Sequence, residues 1–273
     1  MASGVVTSRR LSWPAGLLAA AHIGPGIAVT LLAILLTLAQ GVGPARSALV
    51  VAAVLAGQLS VGWSNDLVDL SRDRQSGRKA KPLVAGSVSV RVVQTACVAA
   101  VLACVVLSFA CGIVAGLVHL ACVSAAWAYN LGLKSTVWSW LPYAAAFGGL
   151  TAFVALADSA TPPWWWPVGG ALLGVGAHLL NVLPDLDDDA ATGVRGLPHR
   201  LGRRRIAPVA AAVLATATAV VLLGGSPPLA AALPAAAVVA VLAAVVVEAT
   251  GRRPFAAAIA IALVDAAMLV VAR

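Results

Sequence analysis

Long apolar segments recur along the whole sequence and limit the folds that this chain can adopt. Each has about 18–25 residues, which is enough for a helix to cross a hydrocarbon layer about 30 Å thick. They are continuous runs of mostly Ala, Val and Leu, which favours helices over the alternating strands of a membrane barrel. The sequence therefore predicts one all-α domain, residues 1–273, that crosses the membrane as a bundle of nine helices. The segments are 15–40, 47–64, 90–110, 113–131, 139–157, 165–183, 206–224, 228–248 and 254–272.

The basic residues indicate the orientation of this bundle. The formal net charge is +8, and 16 of the 18 Lys and Arg residues lie in the N-terminal tail or in the even-numbered connections between segments. Only Arg46 and Arg273 lie on the other side. Such asymmetry predicts that the N-terminus and the even-numbered connections lie in the cytoplasm, and that the membrane is the plasma membrane if the chain is prokaryotic. The positive charge is thereby explained by topology, and no nucleic-acid partner is expected.

Carboxylates are rare in this chain and gather in two short windows. Seven of the ten acidic residues lie in 66–73 and 185–189. Positions i, i+4 and i+8 of a helix stay within a sector of roughly 80°, so each window predicts a row of polar side chains on one helix face. Both rows fall at the cytoplasmic end of their helices. The two patterns are Asn65-x3-Asp69-x3-Asp73, with Asp66 beside it, and Asn181-x3-Asp185-x3-Asp189.

The acid windows predict a magnesium and phosphate site. Carboxylates packed this closely repel one another unless a cation neutralises them. Mg²⁺ binds one or two carboxylates and completes its shell with water and substrate phosphates. Basic residues follow each window and are suited to phosphate oxygens; we expect Arg78 and Lys81 to contact the substrate and Arg200 to lie near it.

Three motifs resemble the UbiA superfamily of intramembrane prenyltransferases. The first window reads NDLVDLSRD and is similar to N-D-x-x-D-x-x-x-D after the second helix of that family. The second contains D-x-x-x-D and runs into GVRGLPHRLG, similar to a family ending in which Thr often stands at the place of Gly196. Val182 stands where many members have Asp. A third segment, from Tyr129-Asn130 to Lys134 and Thr136, is similar to Y-N-x-x-L-K-x-T.

The resemblance implies a bundle of nine helices and a Mg²⁺-dependent enzyme. It would move an isoprenyl group from an isoprenyl diphosphate to a lipophilic acceptor, either an aromatic ring or a lipid, and release diphosphate. Two Mg²⁺ ions would be held by Asp66, Asp69, Asp73, Asp185 and Asp189. Asp69, Asp185, Tyr129 and Lys134 would be the catalytic residues. The diphosphate would contact Asn65, Arg78, Lys81, Asn181 and Arg200.

Two other functions are compatible with parts of the pattern. A terpene cyclase of the same family needs the same acid windows, because only the fate of the isoprenyl cation differs. A cation transporter requires acids at mid-membrane depth, whereas these lie at one end.

A few polar residues within the apolar segments stand outside the motifs. For His22, His119 and His178 we expect packed, hydrogen-bonded side chains, with His178 the one nearest to the second acid window. Asp265 should pair with a neighbouring helix. Gly24-Pro25-Gly26 predicts a kink, or a separate interfacial piece, in the first segment.

Overall fold

The computed structural model describes residues 12–78 and 80–272, and this part of the chain is helical without strands. The helices are α1 (Trp13–Ala20), α2 (Ile23–Gln40), α3 (Pro44–Gln75), α4 (Pro82–Ala85), α5 (Val90–Ala110), α6 (Ile113–Leu131), α7 (Leu141–Ala157), α8 (Trp165–Val182), α9 (Leu186–Ala191), α10 (Leu197–Leu201), α11 (Arg203–Gly225), α12 (Leu229–Glu248) and α13 (Arg253–Val271).

The predicted helical membrane protein is confirmed. Eight helices of the described chain are long and apolar enough to cross a membrane, with α8 counted together with the turn and short helix that follow it. The predicted fifth segment forms α7, which is apolar but has 17 residues, a length of about 25 Å. Many large apolar side chains on the outside of the bundle are exposed, as expected of a surface that meets lipid.

The first predicted segment is interrupted, at a different place from the expected kink. α1 ends at Ala20 and α2 begins at Ile23, and His22 between them has left-handed backbone angles (φ 51°, ψ 49°). Gly24 and Pro25 instead belong to the first turn of α2. Proline is tolerated there, because the first N–H groups of a helix have no partner within the helix.

The second acid window does not form the continuous helix face that the sequence predicts. α8 ends at Val182, a 3₁₀ turn covers Leu183–Asp185, and α9 starts at Leu186. Pro184 lies in that turn and provides no backbone N–H for the helical hydrogen-bond ladder. The prediction that Asn181, Asp185 and Asp189 share one face of a regular α-helix is therefore wrong, although all three are partly buried and the intervening Asp187 and Asp188 are exposed.

Small residues let the helices around the acid windows pack closely. A Cβ at Gly174 of α8 would overlap the backbone carbonyl of Tyr143 on α7, and one at Gly170 would lie 2.7 Å from the carbonyl oxygen of Phe147. Close approach through small residues is the usual way for membrane helices to associate. It brings Tyr143 against the last turns of α8, where His178 and Asn181 lie.

Candidate active site

The first acid window lies on one buried face at the end of α3. α3 is continuous through Gln75, and only 1%, 8% and 3% of the surfaces of Asp66, Asp69 and Asp73 are exposed. Buried carboxylates need charged or hydrogen-bonding partners, because desolvation of an isolated charge is costly. Each of the three has at least one such partner.

Lys134 is the main partner of Asp69. Its Nζ donates to both carboxylate oxygens, at 2.6 and 2.7 Å, and Arg72 Nη1 lies 2.9 Å from Oδ1. Lys134 lies in a 3₁₀ turn that follows Gly132, whose φ of 153° is accessible mainly to glycine. Burial lowers the pKa of the Lys134 amine, and the contacts with Asp69 offset only part of this effect.

Lys81 connects the other two carboxylates of the first window. Its Nζ lies 2.7 Å from Asp66 Oδ1 and 3.2 Å from Asp73 Oδ2. Burial by itself would lower the pKa of Lys81, but attraction and hydrogen bonds from these two carboxylates outweigh burial, so the pKa is raised. Lys81 therefore remains charged beside the acids.

Arg78 joins the two acid windows. Its guanidinium lies 3.8 Å from Asp73 of the first window, and 3.5 and 3.9 Å from Asp188 and Asp189 of the second. The two windows, more than a hundred residues apart in sequence, are thereby brought to the same end of the bundle.

The second window is more open than the first. Asp189 is partly buried, whereas Asp187 and Asp188 are exposed, and Asp187 pairs with the exposed Arg203 at 2.8 Å. Within the described residues, the carboxylate of Asp185 makes no hydrogen bond or ion pair. Asp185 is thus available to a ligand from outside the chain.

Amide side chains connect the windows to neighbouring helices. Asn65 donates to Asp69 Oδ2 at 3.4 Å and to Asn130 Oδ1 at 3.2 Å, and Asn130 in turn donates to Ser64 Oγ at 2.8 Å. Asn181 donates to the hydroxyl oxygen of Tyr143 at 3.2 Å. Neither Asn130 nor Tyr143 was predicted as a site residue. Asn130 belongs to the motif that begins at Tyr129, so the sequence contained a signal for it. No sequence signal pointed to Tyr143.

An aromatic group lies beside the amides. Tyr129 packs edge-on against Tyr143 and His178, with ring centroids 5.2 and 5.6 Å apart, and Tyr143 lies 4.9 Å from His178. The predicted hydrogen bond of His178 is present, since its Nε2 lies 3.0 Å from Ser139 Oγ. Tyr129 is thus in the wall of the site and, within the described chain, its hydroxyl has no hydrogen-bond partner.

Two departures from the family pattern have structural explanations. A Cβ at Gly196 would lie 2.5 Å from the carbonyl oxygen of Lys134 and 2.7 Å from Ser139 Oγ, so the larger Thr has no room there. Val182 is buried in an apolar cluster with Leu179 and Ile206 and does not belong to the acid row. The glycine allows the loop after the second window to pack against the backbone of the Lys134 turn.

Other predicted residues lie away from the two windows or make no contact with them. Arg200 is exposed and forms no ion pair or side-chain hydrogen bond with the described residues, so its role stays a prediction. Asp265 pairs with a neighbouring helix as expected, because Thr218 of α11 donates to its Oδ2 at 3.1 Å. His119 bonds Ser108 at 2.7 Å.

The carboxylate oxygens at the acid windows suit a hard divalent cation whose coordination shell also includes oxygens of a substrate. Asp66 Oδ2 is buried and unpartnered, and Asp185 makes no contact with a cation in the described chain. Among the described residues, no three His, Cys, Asp or Glu side chains converge closely enough to enclose a metal ion alone. A divalent cation there would take its remaining ligands from water or a bound phosphate.

An apolar cavity begins next to the first window. Its lining on α3 includes Val61, one turn before Asn65, and continues deeper through Gln58 and Val54. On the opposite side it is lined by His119 and Phe147 among other residues. The cavity is small, about 40 Å³, and no residue of the two acid windows lines it.

The fold and the site define a class: a multi-pass helical membrane protein with two groups of carboxylates, paired with Lys and Arg side chains, at one end of the bundle. Within that class the chain belongs to the UbiA prenyltransferase family, whose profile matches residues 26–264. No curated protein matches the sequence closely enough to count as a relative.

Several solved structures have the same fold. A UbiA homolog from Aeropyrum pernix K1 is 20% identical, with a TM-score of 0.73 over 96% of this chain and 98% of that one. A UbiA homolog from Archaeoglobus fulgidus bound to GPP and Mg²⁺ is 14% identical, with a TM-score of 0.71 over 93% and 98%. A structure of digeranylgeranylglyceryl phosphate synthase is 16% identical, with a TM-score of 0.68 over 94% and 95%. At these identities the likeness shows the fold alone.

Proposed function

We propose that this protein is a Mg²⁺-dependent prenyltransferase that moves an isoprenyl group from an isoprenyl diphosphate to a lipophilic acceptor and releases diphosphate. The observation that carries the proposal is the position of Arg78, whose guanidinium contacts acids of both windows. A diphosphate, with two adjacent anionic groups, matches a site in which cations and metal-binding carboxylates alternate.

The carboxylates that would hold the metal are Asp66, Asp69, Asp73, Asp185 and Asp189. Asp66 Oδ2 and Asp185 have no partner in the described chain, whereas Asp69 and Asp73 would have to exchange contacts with Lys134 and Lys81. Mg²⁺ bound there supplies positive charge to the diphosphate, which makes it a better leaving group. The relative from Archaeoglobus fulgidus was solved with Mg²⁺ and GPP, which supports the same cofactor and substrate class here.

The basic side chains of the site bind and stabilise the departing diphosphate. Arg78, Lys81 and Lys134 carry donors at the carboxylate rows, and Arg200 is an exposed residue of α10, the short helix that follows the second window. Positive groups fixed before the reaction stabilise the charge that develops on the leaving group without a reorganisation cost. Asn65 and Asn181 hold the neighbouring groups by hydrogen bonds.

The isoprenyl chain would lie among the apolar helices beyond the acid windows, on the side of Val61. There, exclusion of water protects the allylic cation from hydrolysis. Tyr129 and Tyr143 lie between the acid windows and the membrane interior, where their ring faces favour a nearby positive charge. The charge asymmetry of the loops supports a reaction at the cytoplasmic face.

The test is an assay of purified protein in detergent with geranylgeranyl diphosphate and Mg²⁺. We expect diphosphate release and a prenylated product only when an acceptor, either an aromatic acid or a glycerol-derived lipid, is present, and neither when EDTA replaces Mg²⁺. A cyclic hydrocarbon or alcohol formed without acceptor would make the protein a cyclase. Activity that survives in both Asp69→Ala and Asp185→Ala would place the chemistry elsewhere.

A further inference from the structure

Of the two carboxylate oxygens of Asp66, only Oδ1 has hydrogen-bond partners among the described residues. Lys81 Nζ and His22 Nε2 both contact its Oδ1, at 2.7 and 2.9 Å. The other oxygen, Oδ2, is buried and has no hydrogen-bond partner. Because an ionised carboxylate only accepts hydrogen bonds, His22 must donate from Nε2, which fixes a proton on that nitrogen.

The packing of α1 against α3 brings His22 to this position. A Cβ at Gly62 would overlap the backbone carbonyl of Ala21, the residue before His22. One residue further along α3, Trp63 Nε1 donates to the carbonyl of Leu17 at 2.9 Å. The break between α1 and α2 is thereby docked one turn before Asp66.

The backbone of His22 is unusual for a residue with a side chain. Its φ of 51° and ψ of 49° lie in the left-handed region, which few residues other than glycine adopt, although His is among those found there more often. The His22 side chain is 42% exposed, so the prediction that it is packed is wrong, whereas its predicted hydrogen bond is present and is made to Asp66. Packing of α1 does not depend on this ring, because Gly62 and Trp63 provide the contact between the helices.

We propose that His22 is a positioning residue of the metal and diphosphate site, which rests on the proposed function. Together with Lys81 it occupies Oδ1 of Asp66 and thereby reserves Oδ2 for the divalent cation. Hydrogen-bond partners of metal-binding carboxylates commonly act in this way, since they fix the orientation of the ligand before the metal binds.

The experiment measures Mn²⁺ binding by electron paramagnetic resonance, with inorganic diphosphate present and without any turnover. We expect His22→Ala to weaken Mn²⁺ binding about 10–100-fold. His22→Gln should restore most of the affinity, because the Gln amide nitrogen reaches nearly the same point as Nε2 and also donates.

A second pair of variants separates the position of His22 from its chemistry. Gly62→Ala displaces the Ala21 carbonyl and should weaken Mn²⁺ binding although His22 is intact. Gly24→Ala is the matched control, since a Cβ there meets nothing within 4 Å, and it should bind Mn²⁺ as the unaltered protein does. Thermal unfolding of each variant reports whether the fold is retained.

Each outcome decides between the alternatives. Equal Mn²⁺ affinity in His22→Ala and the unaltered protein, with or without a loss of stability, would make His22 a merely structural residue. If His22→Gln does not restore Mn²⁺ binding, the hydrogen bond to Asp66 is not the reason that His22→Ala loses it. If the unaltered protein binds neither Mn²⁺ nor diphosphate, the proposed function itself fails. If the Gly62→Ala protein does not fold, the comparison of His22→Ala with His22→Gln decides the question.

Discussion

The two acid windows have the same spacing in sequence but are built differently. The first lies on an unbroken helix, is almost fully buried, and has its carboxylates paired with Lys81, Lys134 and Arg72. The second crosses a 3₁₀ turn, is more exposed, and leaves Asp185 without a partner in the described chain. The first window is therefore part of the stability of the fold as well as of the site, whereas the second is organised chiefly for a ligand.

The largest expected difference between the windows is in stability. Asp69→Asn leaves the buried ammonium of Lys134 without its counter-charge, which should lower the free energy of unfolding by about 3 kcal/mol. Asp185→Asn should leave it unchanged within about 0.5 kcal/mol. Both should reduce the rate of prenyl transfer by roughly 10²–10³-fold. Thermal unfolding in detergent and the acceptor-dependent assay measure the two effects, and equal losses of stability would contradict the comparison.

The connection between the windows is the next point to test. Arg78→Ala removes the guanidinium that contacts both, so KM for the isoprenyl diphosphate should rise by roughly 10–100-fold, the value of one or two charge-assisted hydrogen bonds. Arg78→Lys should retain part of the affinity, because it keeps the charge but loses the planar fork. Arg203→Ala is the comparison variant, since within the described residues Arg203 contacts the exposed Asp187 and the Leu183 carbonyl and no carboxylate of the first window. If KM rises as much for Arg203→Ala as for Arg78→Ala, the loss of any positive charge near the site weakens substrate binding, and the contact of Arg78 with both windows is not the cause.

The loop after the second window also supports the first. Gly196→Ala places a Cβ against the Lys134 carbonyl and Ser139, so we expect a loss of about 1–3 kcal/mol of stability and a lower rate of transfer. Gly43→Ala, where a Cβ meets nothing within 4 Å, should change neither quantity. Thermal unfolding and the transfer rate of the two variants are compared, and a Gly196→Ala protein with unaltered stability would mean that the loop can move away.

The smallest effect is expected inside the second window. Asp187 is exposed and, among the described residues, pairs with Arg203 alone; exposed ion pairs contribute little. Asp187→Asn should therefore change the transfer rate by no more than about twofold. A loss as large as that of Asp185→Asn in the same assay would show that the whole acidic turn, not only Asp185 and Asp189, holds the substrate.

Much of the fold and part of the site follow from local patterns. The apolar segments are strong signals because each helix must satisfy its own backbone in lipid, so their positions are read directly from hydropathy. The spacing of Asp66, Asp69 and Asp73 predicts one helix face, which the continuous α3 confirms. The same four-residue spacing predicted one helix face for Asn181, Asp185 and Asp189. That prediction is wrong, because Pro184 interrupts the hydrogen-bond ladder of the helix.

Other features depend on contacts between distant segments and have no local signal. His22 contacts Asp66 across 44 residues, and its position depends on the backbone of Ala21 packing against Gly62. Glycine is required at position 196 because this residue packs against the backbone of the Lys134 turn, more than 60 residues earlier in the chain. The partner of Asp265, Thr218, lies 47 residues away on another helix.

By itself the sequence determined that the chain is a helical membrane protein with acids and cations gathered at one end, because hydropathy and charge act over single segments. The tertiary structure decided which cation holds which carboxylate: Lys134 on Asp69, Lys81 between Asp66 and Asp73, and Arg78 between the windows. The reason is geometric. An ion pair needs contact within a few ångströms, and only the packing of helices through residues such as Gly62, Gly174 and Gly196 brings these groups that close.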